Sequence, residues 1–309
     1  MLTTHGHPDH VGNEDLADEL ARDRGVAVEH HVPARDVPQM VDPAAYRVGH
    51  RRRGGYGRRV SQLPDPVRAR SFGAGAEAYA AHRPGYPDQA VDWALDTVRG
   101  RVLDLAAGTG KLTASLVGRV REVVAVEPDP AMLALLRAAL PAVEAREGTA
   151  ERIPLPDSSV DAVLVGQAIH WFDPDHAFRE IARVLRPGGV LAGLWNADDG
   201  RVEWVRGYHE ALADERPEHG VPRGGDRPDL DAGPDFGPVR TAAFEYRLAT
   251  TVDGLVATLG THSWALVSTP TDRNAAFDRM RRYLASRPEV SGDGFELPMV
   301  TRVLRTVRL

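Results

Sequence analysis

The stretch that decides the fold is Val102-Leu-Asp-Leu-Ala-Ala-Gly-Thr-Gly-Lys-Leu-Thr113, which joins a short apolar run to a helical pattern through small residues. Gly108 and Gly110 lack a Cβ, so the backbone of this turn can approach a ligand closely. In an open α/β sheet, ligands bind at the carboxyl ends of the strands. The stretch therefore predicts a strand, a ligand-binding loop and a helix in that order.

Apolar runs and helical patterns alternate along the rest of the chain. The predicted strands are Val102–Leu105, Val123–Val126, Ala162–Val165, Val190–Trp195, Val239–Tyr246 and Met299–Val307. The predicted helices are Pro87–Val98, Gly110–Leu116, Ala131–Leu140, Asp175–Leu185, Val252–Leu259 and Asp272–Ala285, with one more before the sheet in Ser71–Tyr79. Short apolar runs of this kind suit parallel strands that are buried on both faces. The alternation predicts an α/β fold with a doubly wound, mostly parallel sheet.

The loop does not have either common phosphate-binding pattern. A dinucleotide loop needs a third glycine where Thr113 stands, and a P-loop needs a hydroxyl residue where Leu112 stands. Asp104 precedes the turn, which favours a cationic ligand over a pyrophosphate. Glu127 follows Gly108 by 19 residues, near the spacing at which an acid accepts hydrogen bonds from both hydroxyls of a ribose.

Five motifs in sequence order give the chain a family resemblance. They are Asp104-Leu-Ala-Ala-Gly-Thr-Gly110, Val126-Glu-Pro-Asp129, Gly148-Thr-Ala-Glu151, Asp161-Ala-Val-Leu-Val165 and Leu185-Arg-Pro-Gly-Gly-Val190. Together they resemble the class I S-adenosylmethionine-dependent methyltransferases. The most similar group is the small-molecule enzymes of ubiquinone and menaquinone biosynthesis and of trans-aconitate methylation. The resemblance implies S-adenosylmethionine as cofactor and a Rossmann-like, seven-stranded sheet with an antiparallel last strand.

The resemblance also implies a set of cofactor-binding residues. They are Tyr79, Arg83, Asp104, Ala106, Gly108, Gly110, Glu127, Thr149, Ala150 and Gln167. Two of them depart from the family pattern: Ala106 replaces a glycine, and Thr149 replaces the acid that holds the adenine amino group. Ala150 would offer its backbone N–H to the adenine ring. Tyr79 and Arg83 are candidates for contacting the methionine carboxylate, with a packing tyrosine and a solvated arginine as the alternative.

The acceptor side is predicted around the sequence that follows the fourth strand. His170 is a candidate general base or orienting group, and Trp171 offers an aromatic face to a sulfonium. Packing against the next helix is the alternative for both residues. His262 and Trp264, near the end of the chain, are expected to line the substrate site. Methyl transfer is a direct displacement that requires alignment and exclusion of water, so no metal is expected.

Composition limits the remaining classes. The formal net charge of −6 argues against a surface built to bind nucleic acid, and the absence of cysteine excludes disulfides and thiolate metal sites. The sequence contains neither an apolar stretch long enough for a membrane span nor a secretion signal, so we expect a soluble cytoplasmic protein. The expected partner is a small-molecule methyl acceptor. A nucleotide-dependent oxidoreductase and a non-catalytic cofactor-binding module are the alternatives.

Residues 1–70 differ from the rest of the chain. His5, His7, Asp9 and His10 match the H-x-H-x-D-H motif of metallo-β-lactamase-fold hydrolases, and residues 1–45 resemble a fragment of that family. The later metal ligands of that fold have no room in so short a segment, so we predict no working metal centre there. Residues 46–70 are rich in glycine and arginine and predict a linker. Residues 71–309 form the predicted methyltransferase domain, with an irregular insertion at about residues 201–238.

Overall fold

The apolar runs form the strands of one sheet in the structure, a computed structural model that describes residues 75–212 and 230–309. These residues all belong to one compact unit, Pro38–Leu309. The strands are β1 (Arg101–Leu105), β2 (Glu122–Glu127), β3 (Glu144–Glu147), β4 (Val160–Gly166), β5 (Leu185–Asp198), β6 (Arg240–Thr250) and β7 (Phe295–Val307). The predicted N-terminal segment, its four metal-motif residues and the linker lie outside the described residues.

The sheet has seven strands in the order β3-β2-β1-β4-β5-β7-β6. Strands β1 to β5 pair in parallel, and β7 pairs antiparallel with both β5 and β6. The last strand therefore runs against all the others. This confirms the predicted Rossmann-like, doubly wound sheet with an antiparallel last strand. Strands β2 and β3 lie on one side of β1, and β4 and β5 lie on the other. The boundary between β1 and β4 is therefore the switch point at which such sheets bind ligands.

Helices connect the strands, as the alternating pattern predicts. They are α1 (Ala76–His82), α2 (Asp88–Leu95), α3 (Lys111–Leu116), α4 (Pro130–Ala139), α5 (Pro174–Val184), α6 (Glu203–Leu212), α7 (Val252–Gly260), α8 (Ser263–Val267) and α9 (Pro270–Ala285). Two short 3₁₀ helices, Ile169–Trp171 and Pro288–Val290, complete the described elements. Asp129 caps α4 by accepting hydrogen bonds from the amides of Ala131 and Met132, and Pro130 begins the helix.

The core lies on both faces of the sheet. Alternate residues of the central strands enter two separate hydrophobic clusters. Leu103 and Val163 pack in one cluster with α5, while Val102 and Leu164 pack in the other with α2 and α3. This burial on two faces explains why the central strands have continuous apolar runs. No helix within residues 75–212 and 230–309 has the length and apolar character that crossing a bilayer requires.

Two parts of the fold differ from the sequence prediction. Helix α5 ends before Arg186-Pro-Gly-Gly189 as predicted, but β5 begins at once, because Leu185 pairs with Val160. The register then shifts, and the extra residues lie in β5 between Leu185 and Val190. The segment 201–238, predicted as irregular, contains helix α6. Trp204, Val205, Tyr208 and Leu212 of α6 are buried, and they pack in a third hydrophobic cluster with α7 and α9.

Candidate functional site

The carboxyl ends of adjacent strands bring the predicted cofactor residues to one edge of the sheet. Asp104 lies on β1, where it is paired in register with Ala125 of β2 and Leu164 of β4. Glu127 is the last residue of β2, and Gln167 directly follows β4. Because β2, β1 and β4 are neighbours and parallel, these side chains face the same edge. The sequence prediction that they form one site is consistent with this placement.

The loop after β1 has the backbone conformation that close approach to a ligand requires. Ala106, Gly108 and Gly110 all have positive φ, at 56°, 57° and 87°. Glycine adopts this left-handed region without strain, whereas alanine does so at a cost. Gln167, at the end of β4, also has a positive φ of 60°. Strained non-glycine residues thus follow both central strands at the switch point, a place where backbone strain is commonly tied to function.

Asp104 is fully buried and only half paired. Its Oδ2 accepts a hydrogen bond of 2.6 Å from the Thr113 hydroxyl, while its Oδ1 is buried with no hydrogen-bond partner among the described residues. Burial raises the pKa of Asp104 to about 7, the Thr113 hydrogen bond lowers it, and the neighbouring Glu127 carboxylate raises it further. A buried carboxylate oxygen without a donor fits a positively charged ligand group, which would both pair with it and favour its ionised form.

Glu127 is held in a fixed orientation by the backbone. Its Oε2 accepts a hydrogen bond of 2.7 Å from the Gly108 amide, and its Oε1 accepts one of 2.9 Å from the Asp129 amide. Burial raises the pKa of Glu127, and these two amides oppose that shift. Each carboxylate oxygen retains a further lone pair, so the pair of oxygens can still accept hydrogen bonds from two adjacent hydroxyls.

The remaining predicted cofactor residues lie around this loop. Thr149 and Ala150 follow β3, which pairs with β2 up to Glu127 and Glu147; Thr149 is exposed and Ala150 is buried. Ala150 therefore lies at the carboxyl edge of the sheet beside Glu127, where the resemblance places an adenine. The exposed Thr149 side chain has no described hydrogen bond that would fix it there.

A cavity of about 200 Å³ is lined by three of the predicted cofactor residues and two of the predicted acceptor residues. Its lining includes Tyr79, Arg83, Lys111 and Gln167, which lie on or directly after α1, α3 and β4. It also includes Asp198, His209, His262 and Trp264 from β5, α6 and the α7–α8 region. Five residues that the sequence assigned separately to cofactor and acceptor therefore share one cavity: Tyr79, Arg83, Gln167, His262 and Trp264.

Tyr79 and Arg83 approach the cavity from α1. The Arg83 guanidinium lies 5.2 Å from the centre of the Tyr79 ring, and its Nε donates a 2.8 Å hydrogen bond to the Thr261 hydroxyl. Burial raises the pKa of Tyr79, and the carboxylates of Glu127 and Asp104 add to that rise. Tyr79 therefore lies within electrostatic range of both carboxylates.

His170 and Trp171 lie outside the cavity. Both belong to the 3₁₀ helix after β4, with their rings 4.8 Å apart. His170 is exposed, Trp171 is half-buried against the hydrophobic cluster beneath it, and neither lines the cavity. A role for His170 in the acceptor site stays a prediction, and the lining of the cavity does not support it.

The structure adds two residues that the sequence interpretation missed. Asp198 ends β5, and His209 lies on α6, within the segment predicted as irregular. Asn196-Ala-Asp-Asp199, a polar run at the carboxyl end of a buried strand, was a signal for the first. The helical spacing of Trp204, Tyr208 and Leu212 was a signal for the second. No group of three or more acidic or histidine side chains within the described ranges is arranged to hold a metal ion.

Comparisons with known proteins agree with the fold. The family model for a methyltransferase domain matches residues 103–193. An uncharacterised methyltransferase of Mycobacterium tuberculosis is 45% identical over 238 residues, which cover 76% of this chain and 94% of the relative. A methyltransferase-like protein of Schizosaccharomyces pombe is 34% identical over 207 residues, covering 65% and 81%. These matches extend well beyond the binding loop into the acceptor half of the chain.

A solved structure shows the same fold. It is a candidate type II methyltransferase from Anaeromyxobacter dehalogenans, with a TM-score of 0.50, 24% identity, and coverage of 73% of this chain and 97% of that one. The sheet order and the glycine loop are those of a class I methyltransferase fold. The chain belongs to the class I S-adenosylmethionine-dependent methyltransferase family.

Proposed function

We propose that this protein transfers a methyl group from S-adenosylmethionine to a small-molecule acceptor by direct displacement. The observation that carries the proposal is the Asp104 carboxylate, fully buried beside the glycine loop with one oxygen lacking a partner. S-adenosylmethionine has an ammonium and a sulfonium group, so a buried acid recognises it where a pyrophosphate would be repelled. Asp104 would hold the ammonium group and Glu127 the ribose hydroxyls.

Other residues at this edge of the sheet complete this assignment. Gly108 and Gly110 let the backbone approach the cofactor, and the Ala150 amide would face the adenine ring. Tyr79 and Arg83 would contact the methionine carboxylate, and Gln167 would lie beside the reacting end. Gln167 is fixed for this role, since its Nε2 donates a 3.0 Å hydrogen bond to the carbonyl of Asn196.

The donor supplies an activated methyl group, so the protein's task is alignment and the exclusion of water. The cavity suits that task for a small acceptor. Its volume of about 200 Å³ is below the roughly 300–1,000 Å³ of sites for drug-sized ligands. Arg83, His262 and Trp264 line it and would contact the acceptor or the reacting end of the donor. A cytoplasmic location is part of this proposal, and cell fractionation tests it.

The first experiment is calorimetry of the full chain with S-adenosylmethionine and, separately, with NAD. We expect binding of the first only. Asp104→Ala and Glu127→Ala should each weaken that binding by about 1–3 kcal/mol, the range for loss of a buried hydrogen-bond partner. Asp278→Ala, which removes an exposed carboxylate on α9, is the matched control. Unchanged affinity in both site variants, or preference for NAD, would contradict the proposal. Release of S-adenosylhomocysteine with a panel of small acceptors then tests catalysis.

A further inference from the structure

Asp198 and His209 form a hydrogen-bonded pair on the acceptor side of the cavity. His209 Nε2 lies 3.1 Å from Asp198 Oδ2, and the side chains are 23% and 14% exposed. The Tyr208 hydroxyl donates a hydrogen bond to the same carboxylate oxygen. Both members of the pair line the cavity that also contains Gln167 and Tyr79. The pair therefore faces the same space as the residues assigned to the cofactor.

His209 is held in place on two sides, by its neighbour Tyr208 on α6 and by Asp198 of β5. The Tyr208 ring stacks on the His209 ring, with centroids 4.3 Å apart and planes 28° apart. Tyr208 is itself fully buried in the cluster formed with α7 and α9. Gly207 allows the close approach of α9, because a Cβ there would lie 2.0 Å from the Tyr283 hydroxyl. The imidazole is thus oriented by stacking on one side and by Asp198 on the other.

The surroundings of the pair keep Asp198 ionised. Burial raises the pKa of Asp198, but the hydrogen bonds from His209 and Tyr208 are among the interactions that outweigh it, so the pKa lies below its ordinary value. Burial, with help from the Arg83 charge, lowers the pKa of His262 to about 3, so that ring is neutral. The other charged or titratable neighbours are Tyr246 on β6, and Arg279 and Tyr283 on α9, with Arg279 donating to the Ala211 carbonyl at 3.1 Å.

We propose that His209 is the general base of this enzyme, that Asp198 is the residue that positions it, and that the acceptor is methylated on an acidic O–H or N–H group. The inference rests on the function proposed above. Asp198 is an acceptor only, so it fixes the proton of a neutral His209 on Nε2. The lone pair then remains on Nδ1, which is the atom that can receive a proton. A methyl acceptor without an exchangeable proton would have no use for this arrangement.

The proton and electrons balance as follows for an O–H acceptor. His209 Nδ1 takes the proton while a lone pair of the acceptor oxygen forms the bond to the methyl carbon. The electron pair of the breaking carbon–sulfur bond stays on sulfur, which becomes neutral. Asp198 stabilises the imidazolium ion that results, and His209 then passes the proton to water. The products are a methylated acceptor, S-adenosylhomocysteine and one proton.

The first test needs no acceptor. Nitrogen-15 NMR of the full chain with S-adenosylhomocysteine bound distinguishes the two neutral tautomers of each histidine. We expect His209 in the Nε2–H form, and loss of this preference in Asp198→Asn, which offers a neutral amide in place of the carboxylate. His176 is a matched comparison, since its Nδ1 lies 2.8 Å from Asp173 but its side chain is 65% exposed. Observation of the Nδ1–H form for His209 would overturn the proposal.

The second test compares acceptors with and without a proton. The full chain is given S-adenosylmethionine with catechol, 4-hydroxybenzoate, imidazole or iodide, and release of S-adenosylhomocysteine is measured. Iodide has no proton to lose, so it reports on the donor half of the site. His209→Gln keeps a donor for Asp198 but removes the base, and should lower the ratio of proton-bearing to iodide turnover by about 100-fold or more. His176→Gln should leave the ratio unchanged.

The outcomes separate this proposal from the one on which it rests. Equal loss of iodide and proton-bearing turnover in His209→Gln would give His209 a structural role and overturn the proposal. Turnover of iodide, but of none of the proton-bearing acceptors, by the wild-type chain would also overturn the proposal. If the wild-type chain neither binds S-adenosylmethionine nor methylates iodide, the proposed function itself fails. A fall in the ratio in Asp198→Asn, with the pH profile of kcat shifted to lower pH because the imidazolium ion loses its carboxylate partner, supports the positioning role.

Discussion

Asp104 illustrates how one residue can serve binding at the expense of stability. Its folded-state pKa of about 7 lies above the ordinary 3.8, so the folded chain binds more protons than the unfolded chain between these values. Stability without ligand therefore falls as pH rises from about 4 to 7, and the penalty, at most about 4 kcal/mol, is complete above that range. Asp104→Asn removes the buried charge and should raise the melting temperature more at pH 8 than at pH 4.

The same shift predicts how cofactor binding depends on pH. A cationic ligand favours the ionised carboxylate and lowers the pKa of Asp104, so binding below pH 7 releases a proton. Affinity for S-adenosylmethionine should fall by up to about tenfold per pH unit as pH drops below 7 and should level off above it. Calorimetry at pH 6 in two buffers of different ionisation enthalpy measures the released proton. Equal affinity at pH 6 and 8 would contradict the assigned role.

Ala106 gives a second prediction at the scale of one residue. Its positive φ costs about 1–2 kcal/mol for a residue with a Cβ, and glycine does not incur that cost. Ala106→Gly should therefore stabilise the protein by about 1 kcal/mol, after its larger loss of chain entropy is included. Ala107→Gly is the control, because Ala107 is buried and its φ is not positive, and it should be destabilised. Chemical denaturation measures both; destabilisation of Ala106→Gly would contradict the argument.

At the scale of elements, the hydrophobic pattern of the sequence predicted the buried strands, but it did not reveal a strand that lacks an apolar run. Strands β1, β2 and β4 are buried on both faces, so their apolar runs identified them. Strand β3 lies at the edge of the sheet and reads Glu144-Ala-Arg-Glu147, with ion pairs at Glu144 and Arg146. No apolar run exists there to be recognised. Pairing with β2 places it, together with a 2.8 Å hydrogen bond from Arg137 of α4 to the Ala145 carbonyl.

Helix α6 was missed for a different reason. Its buried residues have helical spacing, but glycine, proline and acidic residues dominate the sequence that follows it, and the whole stretch was interpreted together. Because α6 was not predicted, His209, which lies on α6 and pairs with Asp198 of β5, was absent from the predicted site. The placement of the predicted cofactor residues at one edge of the sheet could be predicted, because one loop and the ends of neighbouring strands specify it. The acceptor half is assembled from elements that are distant in sequence, so local pattern does not reveal it.

Gly207 gives a prediction about how α6 packs on α9. An added Cβ would lie 2.0 Å from the Tyr283 hydroxyl and 2.4 Å from its ring carbon Cζ, so the helix or the ring must move. Gly207→Ala should destabilise the protein by about 1–3 kcal/mol despite the better helix propensity of alanine. Gly260→Ala, at the end of α7, meets no atom within 4 Å and is the control. Equal stability of the two variants would show that α6 does not pack closely on α9.

At the scale of the whole molecule, the described residues contain every strand of the sheet and the cavity. Both faces of the sheet are covered by helices from within residues 75–309, and α1 contributes Tyr79 and Arg83 to the site. We therefore expect the methyltransferase part to fold without help from residues 1–70. We also expect a segment as short as residues 1–45 to bury little apolar surface by itself, because fragments near 40 residues are marginal without metals or disulfides.

We therefore predict that a chain beginning at Ser71 folds, binds S-adenosylmethionine and methylates iodide as the full chain does. We also predict that His5, His7, Asp9 and His10 hold no catalytic metal. An incomplete ligand set leaves a metal weakly bound, so dialysis should remove it. Thermal denaturation, calorimetry and metal analysis of the two chains measure these outcomes side by side. Two retained metal ions per full chain would contradict the second prediction. An unfolded shorter chain would contradict the first, because it would mean that residues 1–70 supply part of the methyltransferase core.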